Sequence, residues 1–162
     1  MSGGVAAAVV VVAVAACGSS NGSSSASKAA APANATSVAT ANGADGKYLV
    51  GASGRALYLW VADPSGKSVC AGACARFWPP LLTTSTPAAA GGVTAGRLGT
   101  ITRSNGSKQV TYDGHPLYYF ALDKSKGSLK GQGSDNFGAK WWLVAPSGTA
   151  ITKTAAPVSS GY

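Results

Sequence analysis

A seven-residue pattern that occurs twice constrains this chain more than any other feature. Residues Leu57–Asp63 read LYLWVAD and residues Leu117–Asp123 read LYYFALD, so both have the form Leu-Tyr-x-aromatic-x-x-Asp, at an offset of 60 residues. Side chains alternate along a strand, so the tyrosine and the second aromatic residue of each copy point to one face. An aspartate after an apolar run favours a turn, because its carboxylate accepts hydrogen bonds from following backbone amides. The pattern therefore predicts two aromatic strands that each end at a turn, with the motif residues Tyr58, Trp60, Asp63, Tyr118, Phe120 and Asp123.

The repetition extends beyond the motif. Trp78 and Trp141 follow the two copies at an offset of 63 residues, which a short insertion explains. We therefore expect one domain built from two hairpin-rich repeats, about residues 47–82 and 109–146. The two repeats could pair about a pseudo-two-fold axis or lie as adjacent hairpin layers, and the sequence leaves both arrangements open.

Turn signals separate short apolar segments throughout the middle of the chain. Asn105-Gly106 between two such segments predicts a hairpin, and Asp113-Gly114 predicts a second turn soon after it. Only Ala71–Phe77 suggests a short helical turn. We therefore expect a mostly β fold, a small antiparallel sheet domain over residues 46–148, followed by a flexible tail over 149–162. The predicted strands are Lys47–Ala52, Ala56–Ala62, Leu98–Arg103, Ser107–Tyr112, Pro116–Leu122 and Trp141–Ala145, and Thr83–Gly96 is a predicted loop.

The N-terminal segment predicts the compartment. Val5–Ala16 contains only Val and Ala, and it is shorter than the about 20 apolar residues that a membrane-spanning helix needs. Its length is typical of a signal peptide. The following Val14-Ala15-Ala16-Cys17 resembles a bacterial lipobox, which implies a lipoprotein signal peptide over residues 1–16 and a lipidated Cys17 carrying diacylglycerol and a fatty acid such as palmitate. An ordinary secretory peptide with an incidental cysteine is the alternative.

Residues 17–45 are rich in Ala, Ser, Thr, Asn and Gly and lack aromatic side chains. Such a composition buries too little apolar surface to offset the entropy of ordering, so we expect a flexible linker. The expected location is therefore the cell membrane, with a lipid-anchored domain that faces outside the cytoplasm.

Several motifs in the same order resemble the bacterial family called secreted repeat of unknown function, predicted lipoproteins with a Tyr-x-(Phe/Trp/Tyr)-x-x-Asp motif. Both motif copies match this description, and the similarity covers roughly residues 47–148. The other matching segments are Cys70–Cys74, Trp78–Leu81, Asp113–Leu117, Gly131–Gly133 and Trp141-Trp142. The resemblance implies an exported, usually lipid-anchored repeat domain, and it implies no particular activity.

Cys70 and Cys74 form the most specific pair of candidate site residues. If Cys17 carries lipid, an even number of cysteines is left outside the cytoplasm, where thiols oxidise. A four-residue separation in a Gly/Ala-rich loop allows the Cα separation of about 5.5 Å that a disulfide needs. We expect a structural disulfide. A redox-active pair or a metal site is the alternative, although redox motifs prefer Cys-x-x-Cys.

His115 and the tryptophans are candidate ligand contacts. His115 is the only histidine and lies between a predicted turn and Pro116, so we expect it near the surface. Metal sites generally need three or four ligands, so we expect no metal. Exposed faces of Trp78, Trp141 or Trp142 could stack on sugar rings or quinone-like ligands, whereas core packing is the default role of such aromatic residues.

Enzymatic catalysis has few candidate groups. The chain has no Glu, one His and no Gly-x-Ser-x-Gly nucleophile elbow. Asp63 and Asp123 could be a catalytic carboxylate pair, but their equivalent positions at turn starts favour structural roles. We therefore expect a protein that is not an enzyme and has no cofactor.

The charge of the chain bears on its partners. Lys and Arg number 13 against 5 Asp, for a formal net charge of +8. A basic surface favours anionic polymers, but the charges are scattered, which disfavours nucleic acid. The expected partners are the membrane, through the lipid anchor, and anionic envelope polymers or another envelope protein. We expect a lipid-anchored envelope protein with a binding or structural role. The alternative is a redox or electron-transfer accessory protein that uses Cys70 and Cys74 or a bound cofactor.

Overall fold

The computed structural model describes residues 1, 3–4 and 35–154, and the fold lies in the last of these ranges. Most of the predicted signal peptide, Cys17 and the linker up to residue 34 lie outside the described residues. The described fold is mostly β, as predicted. Its elements are β1 (Ser37–Gly43), β2 (Gly46–Gly51), β3 (Tyr58–Trp60), α1 (Ala73–Phe77), β4 (Leu82–Thr83), β5 (Ala88–Ala89), a 3-10 helix (Ala95–Arg97), β6 (Leu98–Thr102), β7 (Lys108–Tyr112), β8 (His115–Pro116) and β9 (Trp141–Leu143).

Each repeat begins with an antiparallel hairpin. In the first repeat β1 pairs with β2, from Val38 opposite Gly51 to Gly43 opposite Gly46. In the second repeat β6 pairs with β7, and Leu98 lies opposite Tyr112. The hairpin predicted from Asn105-Gly106 is therefore confirmed. Gly106 has a φ of 81°, a conformation that a glycine adopts without steric cost.

The last strand of each repeat pairs with the other repeat. In the second repeat β9 pairs antiparallel with β3 of the first, and the amide of Leu49 donates to the carbonyl of Val144 at 2.8 Å. Conversely, β4 of the first repeat pairs with β7 of the second, and Pro80 forms a bridge with Tyr118. This exchange corresponds to the pseudo-two-fold arrangement, the first of the two alternatives that the sequence left open.

Two smaller pairings complete the sheets. The short strand β5 runs parallel to β1, with Ala89 beside Val38, and β8 pairs antiparallel with β7. The described strands thus form sheets of order β2–β1–β5, β3–β9 and β4–β7–β6, with β8 added to β7. No helix among the described residues has the length and apolar character needed to cross a bilayer.

Both predicted boundaries of the domain are wrong. The linker was expected to reach residue 45, but β1 occupies Ser37–Gly43 and its Val38 is fully buried. The flexible tail was expected from residue 149, but the amide of Ile151 donates to the carbonyl of Leu143 at 2.8 Å, and Ala150 forms a bridge with Val144. Backbone pairing and burial therefore extend the ordered region at both ends.

Several predicted segments differ in detail from the structure. The predicted strand Ala56–Ala62 is reduced to β3, and Pro116–Leu122 contains only the end of β8 and an isolated bridge at Tyr118. The predicted loop Thr83–Gly96 includes β5 and the start of the 3-10 helix. The predicted helical turn over Ala71–Phe77 is confirmed as α1.

The core has two sides, which the motif strands separate. Tyr58 and Trp60 point into an aromatic cluster, whereas Leu57 and Leu59 point into an aliphatic one. The alternation of strand side chains thus buries both faces of the motif. The aromatic cluster consists of Tyr48, Val50, Ala56, Tyr58, Trp60, Cys70, Cys74, Trp78, Tyr118, Phe120, Trp141 and Leu143. The aliphatic cluster consists of Val38, Leu49, Leu57, Leu59, Leu81, Val110, Tyr112, Leu117 and Val144.

Candidate functional site

The two copies of the repeated motif contact each other directly at their tyrosines. The amide of Tyr58 donates to the carbonyl of Tyr118 at 2.9 Å, and the amide of Tyr118 donates to the carbonyl of Tyr58 at 3.0 Å. A reciprocal pair between equivalent residues is what a two-fold axis between the repeats produces. The pseudo-axis therefore passes between these two residues.

The side chains of the motif form crossed hydrogen bonds. The Tyr58 hydroxyl donates to Oδ2 of Asp123 at 2.6 Å, and the Tyr118 hydroxyl donates to Oδ2 of Asp63 at 2.5 Å. Each tyrosine thus binds the aspartate of the other repeat. All four residues are buried, with exposures between 0% and 8%.

The second oxygen of each carboxylate holds the loop that follows it. Oδ1 of Asp63 accepts the amide of Val69 at 2.8 Å. Oδ1 of Asp123 accepts the amide of Lys130 at 2.9 Å and the hydroxyl of Ser128 at 2.8 Å. Both aspartates therefore fix the loop after their strand through backbone amides, with one oxygen for this loop and one for the opposite repeat.

Burial sets the acid–base properties of these groups. Burial raises the pKa of the Tyr58 and Tyr118 hydroxyls, and their hydrogen bonds to Asp123 and Asp63 raise it further. Burial also raises the pKa of Asp63, against the opposing effect of the hydrogen bond that it accepts from Tyr118. The tyrosines therefore stay protonated donors over the physiological pH range.

A row of four aromatic rings, three stacked tryptophans and a tilted Phe120, crosses the pseudo-axis beside the tyrosines. Trp60 stacks on Trp141 with centroids 5.1 Å apart, Trp141 stacks on Trp78 at 3.9 Å, and Trp78 contacts Phe120 at 4.4 Å. The rings alternate between the first and the second repeat. Offset stacking at such distances stabilises aromatic pairs beyond the burial of their area. The stack therefore joins the repeats through the middle of the core.

Each motif tyrosine completes this stack with an edge contact. Tyr58 meets Trp78 edge-on with centroids 5.4 Å apart, and Tyr118 meets Trp141 in the same way at 5.2 Å. A Cβ atom on Gly131 would lie 2.9 Å from both the Trp78 and the Tyr58 rings, so this position accepts only glycine without a shift of the rings.

The prediction that Trp78 and Trp141 are ligand contacts is wrong. Both side chains have 0% exposure, and stacking uses their faces, so no ligand at the surface can reach them. The indole nitrogen of Trp141 donates to the carbonyl of Asn136 at 2.9 Å. Trp142 is half-buried against the aliphatic cluster and is the only one of the three candidates with an accessible ring.

Cys70 and Cys74 lie at disulfide distance, with Cα atoms 5.3 Å apart, in agreement with the predicted bond. The two residues are 1% and 6% exposed and belong to the aromatic cluster. A guanidinium group that the sequence analysis missed ties this loop to the motif. Arg103 donates to the carbonyl of Cys70 at 2.5 Å and to the hydroxyl of Ser68 at 2.7 Å, and the Ser68 hydroxyl lies 2.7 Å from that of Tyr118.

His115 lies in β8 opposite Tyr112 and is half-buried. It occupies the position 60 residues after Arg55, whose guanidinium donates to the carbonyls of Asp123 and Phe120 at 2.7 and 2.8 Å. Over the part of the chain that the structure describes, no group of three or more His, Cys, Asp or Glu side chains could hold a metal ion.

Two open grooves lie on the surface of the described domain. Their volumes are about 530 and 310 Å³, and Lys108 lines both, so we call them the Lys108 grooves. Seven of their thirteen lining residues are Ser or Thr. The first is lined by Thr36, Leu82, Thr83, Thr84, Gly106, Ser107 and Lys108, and the second by Ser85, Thr86, Pro87, Leu98, Gly99, Thr100 and Lys108.

The fold and its core thus define a class of protein, a tandem-repeat β domain whose two repeats share one centre. The family model described as a secreted repeat of unknown function matches residues 39–82 and 99–145, which is more than half of the chain. The chain therefore belongs to this family of secreted repeats. The two matched segments correspond to the two structural repeats, and they begin within β1 and β6. A search of the curated proteins and a search of the solved structures found no significant match.

Proposed function

We propose that the protein is a lipid-anchored envelope protein that faces outside the cytoplasm and has a non-enzymatic binding or structural role. The crossed Tyr–Asp bonds are the observation that carries the non-enzymatic part. A general acid or base needs a carboxyl group that reaches a substrate. Asp63 and Asp123 are instead buried, and both oxygens of each accept hydrogen bonds from the protein itself. This use of the motif supports a structural role for it.

The anchor is proposed at Cys17. Membership of a secreted family supports export, and the lipobox-like Val14-Ala15-Ala16-Cys17 supports lipidation. Two or more acyl chains give firm attachment, because each buried CH₂ contributes about 0.8 kcal/mol and a single chain binds only marginally.

Metabolic labelling tests the anchor. A radiolabelled or alkyne-tagged fatty acid should label the wild-type protein, and Cys17→Ala should remove the label and release the protein from the membrane fraction. Cys70→Ala/Cys74→Ala is the matched control, because it also changes cysteines but leaves the lipobox intact, so its label should persist. Equal labelling of wild type and Cys17→Ala would refute the anchor.

The binding role is proposed at the Lys108 grooves, with an anionic envelope polymer as the partner. The grooves combine one cation with many hydroxyl groups, which suits a polymer of phosphates and sugars or polyols. Another envelope protein is the alternative partner.

Titration with a poly(glycerol phosphate) distinguishes binding in the Lys108 grooves from attraction to the net charge of the domain. Lys108→Ala should weaken binding several-fold, whereas Lys67→Ala, which removes an equal charge from an exposed turn outside the grooves, should leave it nearly unchanged. Equal losses in the two variants would mean that only net charge is sensed, and the grooves would then not be the site.

A redox accessory protein is the alternative function. Thiol–disulfide exchange requires that a thiolate reach one sulfur of the pair. Cys70 and Cys74 are 1% and 6% exposed, which favours a structural bond over a redox-active one.

A further inference from the structure

Two phenylalanine rings lie side by side on the surface. Phe77 is 49% exposed and Phe137 is 42% exposed, and their ring centroids are 6.1 Å apart. Phe77 is the last residue of α1 in the first repeat, and Phe137 lies before β9 in the second. The pair therefore joins the two repeats outside the core.

The backbone at Phe137 is strained. Its φ of 65° lies in the left-handed region, and among the described residues only Asp113 shares this property without being a glycine. This conformation is unfavourable for a residue with a Cβ atom, whereas glycine adopts it freely. Stability alone would therefore favour glycine at position 137. Strain that persists at an exposed side chain points to a function for that side chain.

Two further exposed apolar residues are linked to the segments of this pair through backbone hydrogen bonds. The amide of Val61 donates to the carbonyl of Lys140 at 3.0 Å, and the amide of Ala121 donates to the carbonyl of Phe77 at 2.8 Å. Val61 is 58% exposed, and Leu122, the residue after Ala121, is 51% exposed. We call Phe77, Phe137, Val61 and Leu122 the phenylalanine patch. It contains most of the large, strongly exposed apolar side chains of residues 35–154.

The domain that carries the patch is cationic. Residues 35–154 contain twelve Lys or Arg against five Asp, and two of the five, Asp63 and Asp123, are buried. Asp113 and Asp135 are paired with Arg97 and Lys140 at 2.8 and 3.3 Å. The exposed Arg76 directly precedes Phe77. The described domain therefore carries a net positive charge, and Arg76 places one cation directly beside Phe77.

We propose that the phenylalanine patch docks on the surface of an anionic lipid bilayer. Apolar rings on a cationic domain suit the membrane interface, where rings enter the boundary between headgroups and acyl chains and cations meet lipid phosphates. A second copy of the chain fits less well. Two like-charged surfaces repel, and stable interfaces bury about 1,200–2,000 Å², far more than a few side chains provide. This docking is independent of lipid at Cys17, and it would hold the domain against the membrane.

Vesicle co-sedimentation with unlipidated protein tests this proposal. The sample is residues 17–162 with Cys17→Ser, mixed at low salt with vesicles of phosphatidylglycerol and phosphatidylcholine or of phosphatidylcholine alone. We expect binding to the anionic vesicles that weakens with salt, and a loss of at least about ten-fold in Phe77→Ala/Phe137→Gly. Val69→Ala is the matched control, because Val69 is 46% exposed but belongs neither to the phenylalanine patch nor to a Lys108 groove.

Phe137→Gly alone separates docking from folding. Because glycine relieves the left-handed strain, its melting temperature should equal or exceed that of wild type while its vesicle binding falls. Undiminished binding of the double variant, or no binding of the wild type, would overturn the proposal. Self-association that the double variant abolishes, without vesicle binding, would overturn it in favour of a second copy.

Discussion

At the scale of single residues, each motif position has a distinct physical task. Tyr58 and Tyr118 each pack edge-on against a tryptophan and donate to a carboxylate of the opposite repeat. Each aspartate accepts the tyrosine hydroxyl on one carboxylate oxygen and, on the other oxygen, a backbone amide of the loop that follows its own strand. The sequence predicted that the aromatic side chains share a face and that the aspartates close turns. It could not predict the crossed partners, because residues about 60 apart meet only through the tertiary fold.

Asp63 leads to a prediction about pH. Burial raises the pKa of its carboxyl above the value in the unfolded chain, so between these two pKa values the folded protein binds more protons than the unfolded one. The contribution of Asp63 to the free energy of unfolding therefore rises as the pH falls through the folded-state pKa, and it is lost as the pH climbs again. We expect the stability difference between wild type and Asp63→Asn to widen in favour of wild type from pH 7 to pH 4.

Urea unfolding at both pH values measures this difference, since contributions of the other carboxyl groups cancel between the two proteins. A gap that narrows on acidification would mean that the bonds from Tyr118 and Val69 lower the pKa of Asp63 more than burial raises it.

The disulfide leads to a second prediction. Cross-linking so short a loop removes little chain entropy, so Cys70→Ala/Cys74→Ala should lower the free energy of unfolding by about 2 kcal/mol. Because both cysteines are buried, a thiol reagent should titrate no free thiols in the native protein under mild reductant, and two after denaturation. A pair that is readily reduced and reoxidised in the native protein would instead support the redox alternative.

At the scale of elements, β1 shows what the sequence analysis missed. Ser37–Gly43 reads SVATANG, which resembles the polar linker before it and lacks aromatic residues. The repeat itself carried the missing signal, because Leu98–Thr102 lies 60 residues after Val38–Asn42 and was predicted to be a strand. Composition did not reveal β1 because this strand needs few apolar side chains: its backbone pairs with β2 from Val38 to Gly43.

Truncation tests the importance of β1. A chain that begins at residue 46 lacks the buried Val38 and exposes the backbone of β2, so we expect it to lose cooperative thermal unfolding. A chain that begins at residue 35 should unfold cooperatively, as observed by circular dichroism. If the two chains have the same melting temperature, β1 contributes nothing to the fold.

The candidate site was predicted in part. The cysteine pair, the hairpin at Asn105-Gly106 and the strand of the first motif copy follow from local patterns and are present, whereas the second copy forms only isolated bridges at Tyr118. The burial of Trp78 and Trp141 and the exposure of Phe77 and Phe137 do not follow from any local pattern. Both depend on how the repeats face each other. An aromatic ring that meets the other repeat near the pseudo-axis is buried in the core, whereas an aromatic ring at the surface of the domain remains exposed.

At the scale of the whole molecule, exchange of the last strands makes the two repeats one domain. Strand β9 completes the first repeat and β4 joins the second, so each repeat alone lacks a strand that it needs. We expect residues 35–90 and 91–162, expressed separately, to remain unfolded, and an equimolar mixture to regain the spectrum of the intact domain. A cooperative transition in either fragment alone would show that the exchange is not required.

The central claim is that the motif joins the two repeats through crossed Tyr–Asp bonds, and double-mutant cycles test it most directly. Tyr58→Phe and Asp123→Ala should show a coupling of about 1.5–3 kcal/mol in the free energy of unfolding, as expected for a hydrogen bond to a charged group. Tyr58→Phe and Asp63→Ala, in the same repeat, should be additive within about 0.5 kcal/mol. Coupling within the repeat and additivity between the repeats would contradict the account.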